Sequence, residues 1–200
     1  MTDLFAEKAQ DWDVNDVVKG ISRGIRAALD EHVELDPALH VMDFGAGTGL
    51  VTQHLVDKVG RVTAVDVSAA MLAKLIEKPE LAGKVESFCQ DIIEAPLDSK
   101  FDLIVSAMAM HHVRDTDKLV QRFAEHLEPG GRVALADLDT EDGRFHPEDT
   151  EGVFHTGFDR GAFAALLEKH GFVDVKLVTA HTAQKEERRY PIFLALARRA

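Results

Sequence analysis

Apolar residues recur along this chain with two different periods. Short continuous apolar runs predict strands that are buried in a sheet. We expect seven of them, at 39–44, 61–65, 85–89, 101–107, 132–136, 173–179 and 192–197. Between these runs, apolar residues recur every three or four positions, which predicts amphipathic helices at 15–32, 49–59, 68–79, 115–127 and 159–170. Strands that alternate with helices are typical of an α/β fold with a parallel sheet.

Turn-forming and capping residues mark the ends of these elements. Ser68 and Asp159 precede two of the helices and are suitable N-caps. The sequence Glu-Pro-Gly-Gly at 128–131 predicts the end of one helix and a turn before the strand at 132. The last two strands are expected to form a hairpin around a loop at 180–190. The stretch 137–158 has no clear period, and loops of this length are usually functional or disordered.

Charge and composition narrow the class of partner. The formal net charge is -12, so the surface repels phosphate backbones, and we expect no nucleic-acid partner. No apolar run is long enough to cross a bilayer, and the first residues lack the pattern of a signal peptide. Cys89 is the only cysteine, which excludes an intramolecular disulfide and indicates a reducing, cytoplasmic location. Its apolar neighbours predict a buried thiol.

A glycine-rich loop joins the first predicted strand to the helix after it. Glycines at 45, 47 and 49 allow sharp turns and close approach of a ligand. Because residue 50 is leucine, the spacing is G-x-G-x-G and not the G-x-G-x-x-G of dinucleotide-binding proteins. Asp43 precedes the first glycine by two residues. A carboxylate there would repel a pyrophosphate but suits a cationic ligand.

Further motifs follow this loop in a fixed order. Asp66 ends the second strand, and Gln90-Asp91-Ile92 follows the third. Two further segments are Phe-Asp-Leu-Ile-Val-Ser at 101–106 and Leu-Glu-Pro-Gly-Gly at 127–131. Taken together with the glycine loop, they resemble the ordered motifs of class I S-adenosylmethionine-dependent methyltransferases. The resemblance covers most of the chain.

The resemblance implies a fold, an activity and a cofactor. The fold is a Rossmann-like three-layer sandwich whose seven-stranded sheet has the order 3-2-1-4-5-7-6, with the last strand antiparallel. The activity is methyl transfer from S-adenosylmethionine to a small-molecule acceptor, with S-adenosylhomocysteine as the product. We expect one domain, with an N-terminal arm (1–35), a cofactor-binding part (36–137), a substrate-side loop (138–160) and a closing helix and hairpin (161–200).

The resemblance also assigns residues to the cofactor. The glycine loop would contact the methionine and ribose portions, Asp66 the ribose hydroxyls, and Asp91 the adenine edge. Met71 could flank the adenine or belong only to the core, and Gly49 could serve only helix packing. The predicted cofactor-binding residues are Asp43, Gly45, Ala46, Gly47, Thr48, Gly49, Asp66, Val67, Met71, Asp91, Ile92, Ser106 and Ala107.

The acceptor is expected beyond the carboxyl end of the fourth strand, where ligands of parallel sheets bind. His111 and His112 are the candidate catalytic bases, His111 being preferred, with a structural role as the alternative. His146 and His155 match no metal-binding spacing, so no metal is expected. The predicted substrate-binding residues are Phe5, Trp12, Met110, His111, His146, Phe154, His155 and Phe158.

Two other functions compete with this interpretation. A nicotinamide-dependent oxidoreductase would need a glycine at position 50 and a Tyr-x-x-x-Lys pair, which Tyr190, the only tyrosine, does not provide. A non-catalytic cofactor-binding module would keep the same loop, because methyl transfer requires little from the protein. The absence of an Asn-Pro-Pro-aromatic element after the fourth strand argues against methylation of nucleic-acid bases. We expect a monomer or a homodimer.

Overall fold

The protein, described here over residues 3–200 by a computed structural model, is built on one seven-stranded sheet. Its strand order is 3-2-1-4-5-7-6, as the resemblance implied. β1 to β5 are parallel, and β7 lies antiparallel between β5 and β6. The strands are β1 His40–Phe44, β2 Arg61–Asp66, β3 Val85–Cys89, β4 Phe101–Ala107, β5 Leu127–Leu138, β6 Phe172–Lys185 and β7 Arg188–Arg199.

Five helices cover the two faces of the sheet. They are α1 Asp16–His32, α2 Thr52–Leu55, α3 Ala69–Ile76, α4 Thr116–His126 and α5 Arg160–Lys169. Both predicted N-caps are confirmed, because Ser68 accepts a hydrogen bond from the backbone of Met71, and Asp159 accepts one from Ala162. Short 3-10 turns lie at Lys8–Gln10, Trp12–Val14 and Met110–His112.

Alternate side chains of the central strands enter two separate cores. Val41 and Leu103 pack with residues of α1, whereas the neighbouring Met42 and Ile104 pack with residues of α4. Each of these four side chains is fully buried. This explains why β1 and β4 are apolar on both faces, and why the sequence predicted them as continuous apolar runs.

Two predicted boundaries on the parallel side are wrong. The helix expected at 49–59 is regular only in α2, because the glycine loop and irregular turns occupy the rest. The turn expected at 128–131 lies inside β5, where the pairing register shifts between Phe101 and Leu103 of β4. That irregularity lets the Pro-Gly-Gly sequence remain within the sheet.

The antiparallel edge differs from the prediction more strongly. The loop expected at 180–190 is wrong, because β6 and β7 continue into it and leave only Glu186 and Glu187 as the turn. Polar residues on the outer strand β6 mimic a loop in the sequence, although one face of an edge strand is exposed. The buried thiol predicted for Cys89 is also wrong, since β3 is the opposite edge and Cys89 is exposed.

The turn between β6 and β7 yields a test of this pairing. Glu186 has a φ of 54°, which costs a residue with a Cβ roughly 1–2 kcal/mol. We expect Glu186→Gly to raise the free energy of unfolding by up to about 1 kcal/mol in urea titrations. Glu187→Gly is the matched control and should lower it by about 0.5–1 kcal/mol. Equal destabilisation by both changes would contradict the two-residue turn.

Candidate active site

The glycine loop lies at the carboxyl end of β1 and faces the turn after β4. A Cβ added to Gly45, whose φ is 68°, would lie 2.2 Å from the Cβ of Ala109. The loop is fixed from below, since the N–H groups of Gly45 and Ala46 donate to the carbonyl of Val65 at the end of β2. Gly47 differs, because no atom of the described residues, apart from its chain neighbours, lies within 4 Å of the place of its missing Cβ. The loop therefore leaves free space for a ligand at Gly47.

Asp66 fixes this open part of the loop. One carboxylate oxygen accepts from the N–H of Gly47 at 2.8 Å, and the other accepts from the N–H of Ser68 at 2.8 Å. Burial raises the pKa of Asp66 above its usual value. Each oxygen keeps a second lone pair, so the carboxylate can accept further hydrogen bonds from hydroxyl groups of a ligand.

Asp43 is a second acidic group beneath the same loop. It is 1% exposed, and the hydroxyl of Thr52 donates to its carboxylate at 2.6 Å. Burial raises the pKa of Asp43 to about 7, and the nearby charge of Asp66 contributes to the rise. A cationic ligand close to these two carboxylates would favour their ionised forms.

Two of the predicted cofactor residues, Gly49 and Met71, have surroundings that indicate a role in packing. A Cβ on Gly49 would lie 2.8 Å from Cγ of Leu75, so the absence of a side chain at Gly49 allows α3 to pack against the loop. Met71 is 2% exposed and belongs to the buried side of α3. Both positions match the structural alternative given by the sequence.

The remaining predicted cofactor residues lie along the same edge of the sheet. Val67, just after β2, is 53% exposed. Asp91 accepts a hydrogen bond from the N–H of Ile93 and thereby shapes the turn after β3. The buried hydroxyl of Ser106, at the end of β4, has no hydrogen-bond partner among the described residues. Also at this edge lie Ala46, Thr48, Ile92 and Ala107.

Three histidines come together beyond β4 and β5. His111 and His112 lie in the 3-10 turn after β4, and His146 comes from the loop after β5. Nε2 of His111 lies 3.0 Å from Nε2 of His146, and Nδ1 of His111 lies 2.7 Å from a carboxylate oxygen of Asp137. Nδ1 of His112 lies 2.8 Å from the carbonyl oxygen of Gly152. We call His111, His112 and His146 the histidine cluster.

Burial determines the charge of two of its members. It lowers the pKa of His112 to about 4, with a contribution from the charge of His111. It lowers the pKa of His146 to about 3, and the charges of His111 and His112 add to the effect. Both imidazoles are therefore neutral at pH 7.

Asp137 contacts the histidine cluster and is a residue that the sequence analysis missed. It is fully buried, and its carboxylate accepts hydrogen bonds from the ring of His111 and from the backbone N–H groups of Met110, His111 and Leu138. A signal was available, because an acid ends the apolar run of β5 at the edge of the sheet where ligands bind. In the sequence, Asp137 is the first residue of the stretch without a clear period.

The predicted substrate residues divide into groups with different surroundings. Phe5 packs edge-on against His112, with ring centroids 5.1 Å apart. Phe154 and His155 donate backbone N–H groups to the carbonyl of His111, and the ring of His155 bonds the carbonyl of Val113. Met110 is 1% exposed and belongs to the core.

The last two predicted substrate residues are Phe158 and Trp12. Phe158 packs on Phe163 and Phe193, which is the structural role that the sequence left open. Trp12 is partly buried in the second 3-10 turn. Its neighbour Asp13 accepts a hydrogen bond from Thr48 of the glycine loop, so the arm contacts the loop beside Trp12.

The expectation of no metal was based on the pair His146 and His155. In the structure, His146 groups with His111 and His112, and one ring nitrogen of each lies within 4.8 Å of the other two. Residues 35 positions apart in the chain give no spacing signal for such a group.

A parallel sheet with a glycine loop and two acids at its carboxyl edge defines a Rossmann-like protein that binds a nucleoside cofactor. A family model described as a methyltransferase domain matches residues 41–131. An uncharacterized methyltransferase of Geobacillus kaustophilus is 28% identical over 85% of this chain and 87% of its own length. Another, from Schizosaccharomyces pombe, is 31% identical over 60% of this chain and 48% of its length.

Among solved structures, the complex of DhpI with S-adenosylhomocysteine superimposes with a TM-score of 0.76 at 21% identity, over 99% of this chain and 95% of that one. The chain belongs to the class I S-adenosylmethionine-dependent methyltransferases. It is a methyltransferase with S-adenosylmethionine as its cofactor, and the oxidoreductase alternative is wrong. Among the described residues, no helix has the length and apolar character needed to span a membrane.

Asp66 provides a direct test of the cofactor assignment. Asp66→Ala removes charged acceptors, each worth about 1.5–3 kcal/mol, so we expect affinity for S-adenosylhomocysteine to fall about 10–100-fold in calorimetric titrations. Asp57→Ala is the matched control, because Asp57 is exposed and pairs with Lys84. Unchanged affinity in Asp66→Ala would remove Asp66 from the cofactor site.

Asp43 predicts a pH dependence of stability. Between pH 3.8 and about 7, folded Asp43 holds a proton that the unfolded chain has released. Its contribution therefore favours the folded state at low pH and is lost as the pH rises to about 7. Asp43→Asn should flatten the fall of unfolding free energy over this range in urea titrations, and Asp57→Asn should not. Parallel profiles for Asp43→Asn and the unmodified protein would show that Asp43 ionises normally.

Proposed function

We propose that this enzyme transfers the methyl group of S-adenosylmethionine to a small-molecule acceptor held at the histidine cluster. The observation that supports this most is the buried pair of His111 and Asp137 at the carboxyl end of β4 and β5. A buried, hydrogen-bonded imidazole and carboxylate at this edge, next to the cofactor loop, are well placed to act on the atom that receives the methyl group.

Short segments enclose this region and favour a small acceptor. From one side, Phe5 of the N-terminal arm covers the ring of His112. From the other side, the loop after β5 holds the cluster through the carbonyl of Gly152 and the N–H groups of Phe154 and His155. These contacts enclose part of the cluster, which favours a small acceptor over a protein or nucleic-acid substrate.

Methyl transfer itself makes modest demands on the protein. The acceptor nucleophile attacks the methyl carbon, the carbon–sulfur bond breaks, and the sulfonium becomes the neutral sulfide of S-adenosylhomocysteine. An acceptor that carries a proton on its nucleophile releases it to the histidine cluster. His111 is the final holder of that proton, because the carboxylate of Asp137 stabilises its imidazolium form.

The acceptor class can be tested before the acceptor is known. The protein is incubated with methyl-labelled S-adenosylmethionine and a cell extract that ultrafiltration has separated into small-molecule and macromolecular fractions. We expect enzyme-dependent label in the small-molecule fraction. Enzyme-dependent label only in protein or nucleic acid would overturn the proposed acceptor class while leaving the methyltransferase intact.

The role of His111 is tested with the acceptor found in this way. Loss of a general base typically costs about 10²–10⁴-fold in rate, so we expect His111→Asn to lose activity on this scale. Affinity for S-adenosylhomocysteine should stay unchanged, because His111 lies outside the glycine loop. His181→Asn, on β6, is the control and should keep full activity. Full activity in His111→Asn would make His111 a structural residue.

A further inference from the structure

The ring nitrogens of the histidine cluster have an arrangement that proton transfer does not require. One nitrogen from each of His111, His112 and His146 lies within 4.8 Å of the other two. The three side chains come from two separate segments of the chain, and His111 is 1% exposed. Three imidazoles that face one another need either a ligand that their nitrogens share or a fixed assignment of hydrogens to the ring nitrogens.

The hydrogen bonds of two histidines determine which nitrogens are free. Nδ1 of His111 faces the carboxylate of Asp137, and Nδ1 of His112 faces the carbonyl of Gly152. Ionised carboxylates and carbonyls only accept hydrogen bonds, so both Nδ1 atoms carry the hydrogen. In the neutral rings, each Nε2 therefore presents a lone pair. Metal-binding histidines show this same pattern, with the outer N–H held by a carboxylate or a backbone carbonyl.

The distance between His111 and His146 also fits a metal-binding pair. Two imidazole nitrogens bound to one tetrahedral ion at about 2.0–2.1 Å lie about 3.3–3.4 Å apart. The observed separation of the two Nε2 atoms is 3.0 Å, so small ring rotations would admit an ion. Without an ion, Nε2 of His146 must carry the hydrogen and donate it to His111. This simple hydrogen bond is the alternative that an experiment must separate from a metal site.

The segment that carries His146 is anchored by its neighbours. Phe145 is 6% exposed and packs edge-on against Tyr190, with ring centroids 5.3 Å apart. Its backbone N–H donates to the carboxylate of Glu141. His111 is held by the carboxylate of Asp137, and His112 is held by the carbonyl of Gly152. The three ligands are thus positioned by packing and hydrogen bonds in the unliganded protein, which reduces the entropy lost on binding.

We propose that His111, His112 and His146 bind one divalent transition-metal ion of the Zn²⁺ class. Three imidazoles without a carboxylate ligand favour Zn²⁺, Co²⁺ or Ni²⁺ over Mg²⁺ and Ca²⁺. A site with three protein ligands retains an open position, as catalytic zinc sites do. An oxygen, nitrogen or sulfur atom of the acceptor would bind there, and this use of the ion rests on the proposed function. With the ion bound, His111 would serve as a ligand, and the ion would supply Lewis-acid chemistry that lowers the pKa of the bound acceptor group, so that its proton is released to water.

The test is calorimetric titration of the full chain, freed of metal by a chelator, with Zn²⁺, Co²⁺ and Mg²⁺. We expect one Zn²⁺ or one Co²⁺ per chain and no comparable binding of Mg²⁺. Bound Co²⁺ should show the intense visible absorption of a tetrahedral site. His146→Ala and His112→Asn should each weaken binding at least about 100-fold, because loss of an outer partner alone costs 10–100-fold. His181→Asn is the matched control and should bind as the unmodified protein does.

Affinity for S-adenosylhomocysteine, measured on the same samples, separates this proposal from the proposed function. Retained cofactor binding in His146→Ala shows that the variant is folded. The absence of stoichiometric Zn²⁺ or Co²⁺ binding to a protein that binds the cofactor would overturn the metal site and leave methyl transfer untouched. Equal metal affinity in the unmodified protein, His146→Ala and His112→Asn would also overturn it, since the ion would then bind elsewhere.

Discussion

The arrangement of His111 and of the turn after β4 depends on one buried carboxylate, that of Asp137. Asp137 follows the buried apolar run 133–136 near the end of β5, and an isolated charge at such a depth would be strongly unfavourable. Its oxygens receive three backbone N–H groups and the ring of His111. These bonds satisfy the carboxylate and, at the same time, fix the 3-10 turn after β4. Without Asp137, the N–H groups of Met110 and His111 and the Nδ1 of His111 would lose the acceptor that they share.

A second constraint connects the acceptor side to the cofactor loop. Gly45 approaches Ala109 so closely that a Cβ at Gly45 could not be accommodated. Met108, with a φ of 57°, bends the chain directly after β4 and donates its N–H to Ala136 of β5. The glycine loop and the histidine turn are therefore packed against each other at the edge of one rigid sheet. A ligand on the loop and an acceptor at the histidines would meet in a geometry that the backbone sets in advance.

Much of this fold could be predicted from the sequence because local signals and the ordered motifs agree. The buried parallel strands and the caps at Ser68 and Asp159 have strong local signatures. The wrong predictions fall at the sheet edges, where one face of a strand is exposed, as for Cys89 and the residues of β6. Polar residues in an edge strand are there because one face contacts solvent, and they do not mark the end of the strand.

The site was less predictable than the fold. The residues of the glycine loop are contiguous in the sequence, and Asp66 is the last residue of a predicted strand. Both could therefore be placed from the sequence. The contact between His111 and His146 joins positions 35 residues apart across a segment without a period, and no spacing rule covers it. Asp137 was missed because its role appears only when the turn after β4 folds over the end of β5.

The two parts of the site are the acids beneath the glycine loop and the histidine cluster, and burial shifts their pKa values in opposite directions. Beneath the loop, burial raises the pKa values of Asp43 and Asp66, because negative charge on these carboxylates is unfavourable there. A cation that binds there lowers this cost, and the sulfonium and ammonium groups of S-adenosylmethionine supply positive charge. At the histidines, burial keeps His112 and His146 neutral, so their nitrogens keep lone pairs at pH 7. Under the proposed function, the acids beneath the loop would favour the positively charged methyl donor, and the neutral histidines would be free to accept a proton from the acceptor.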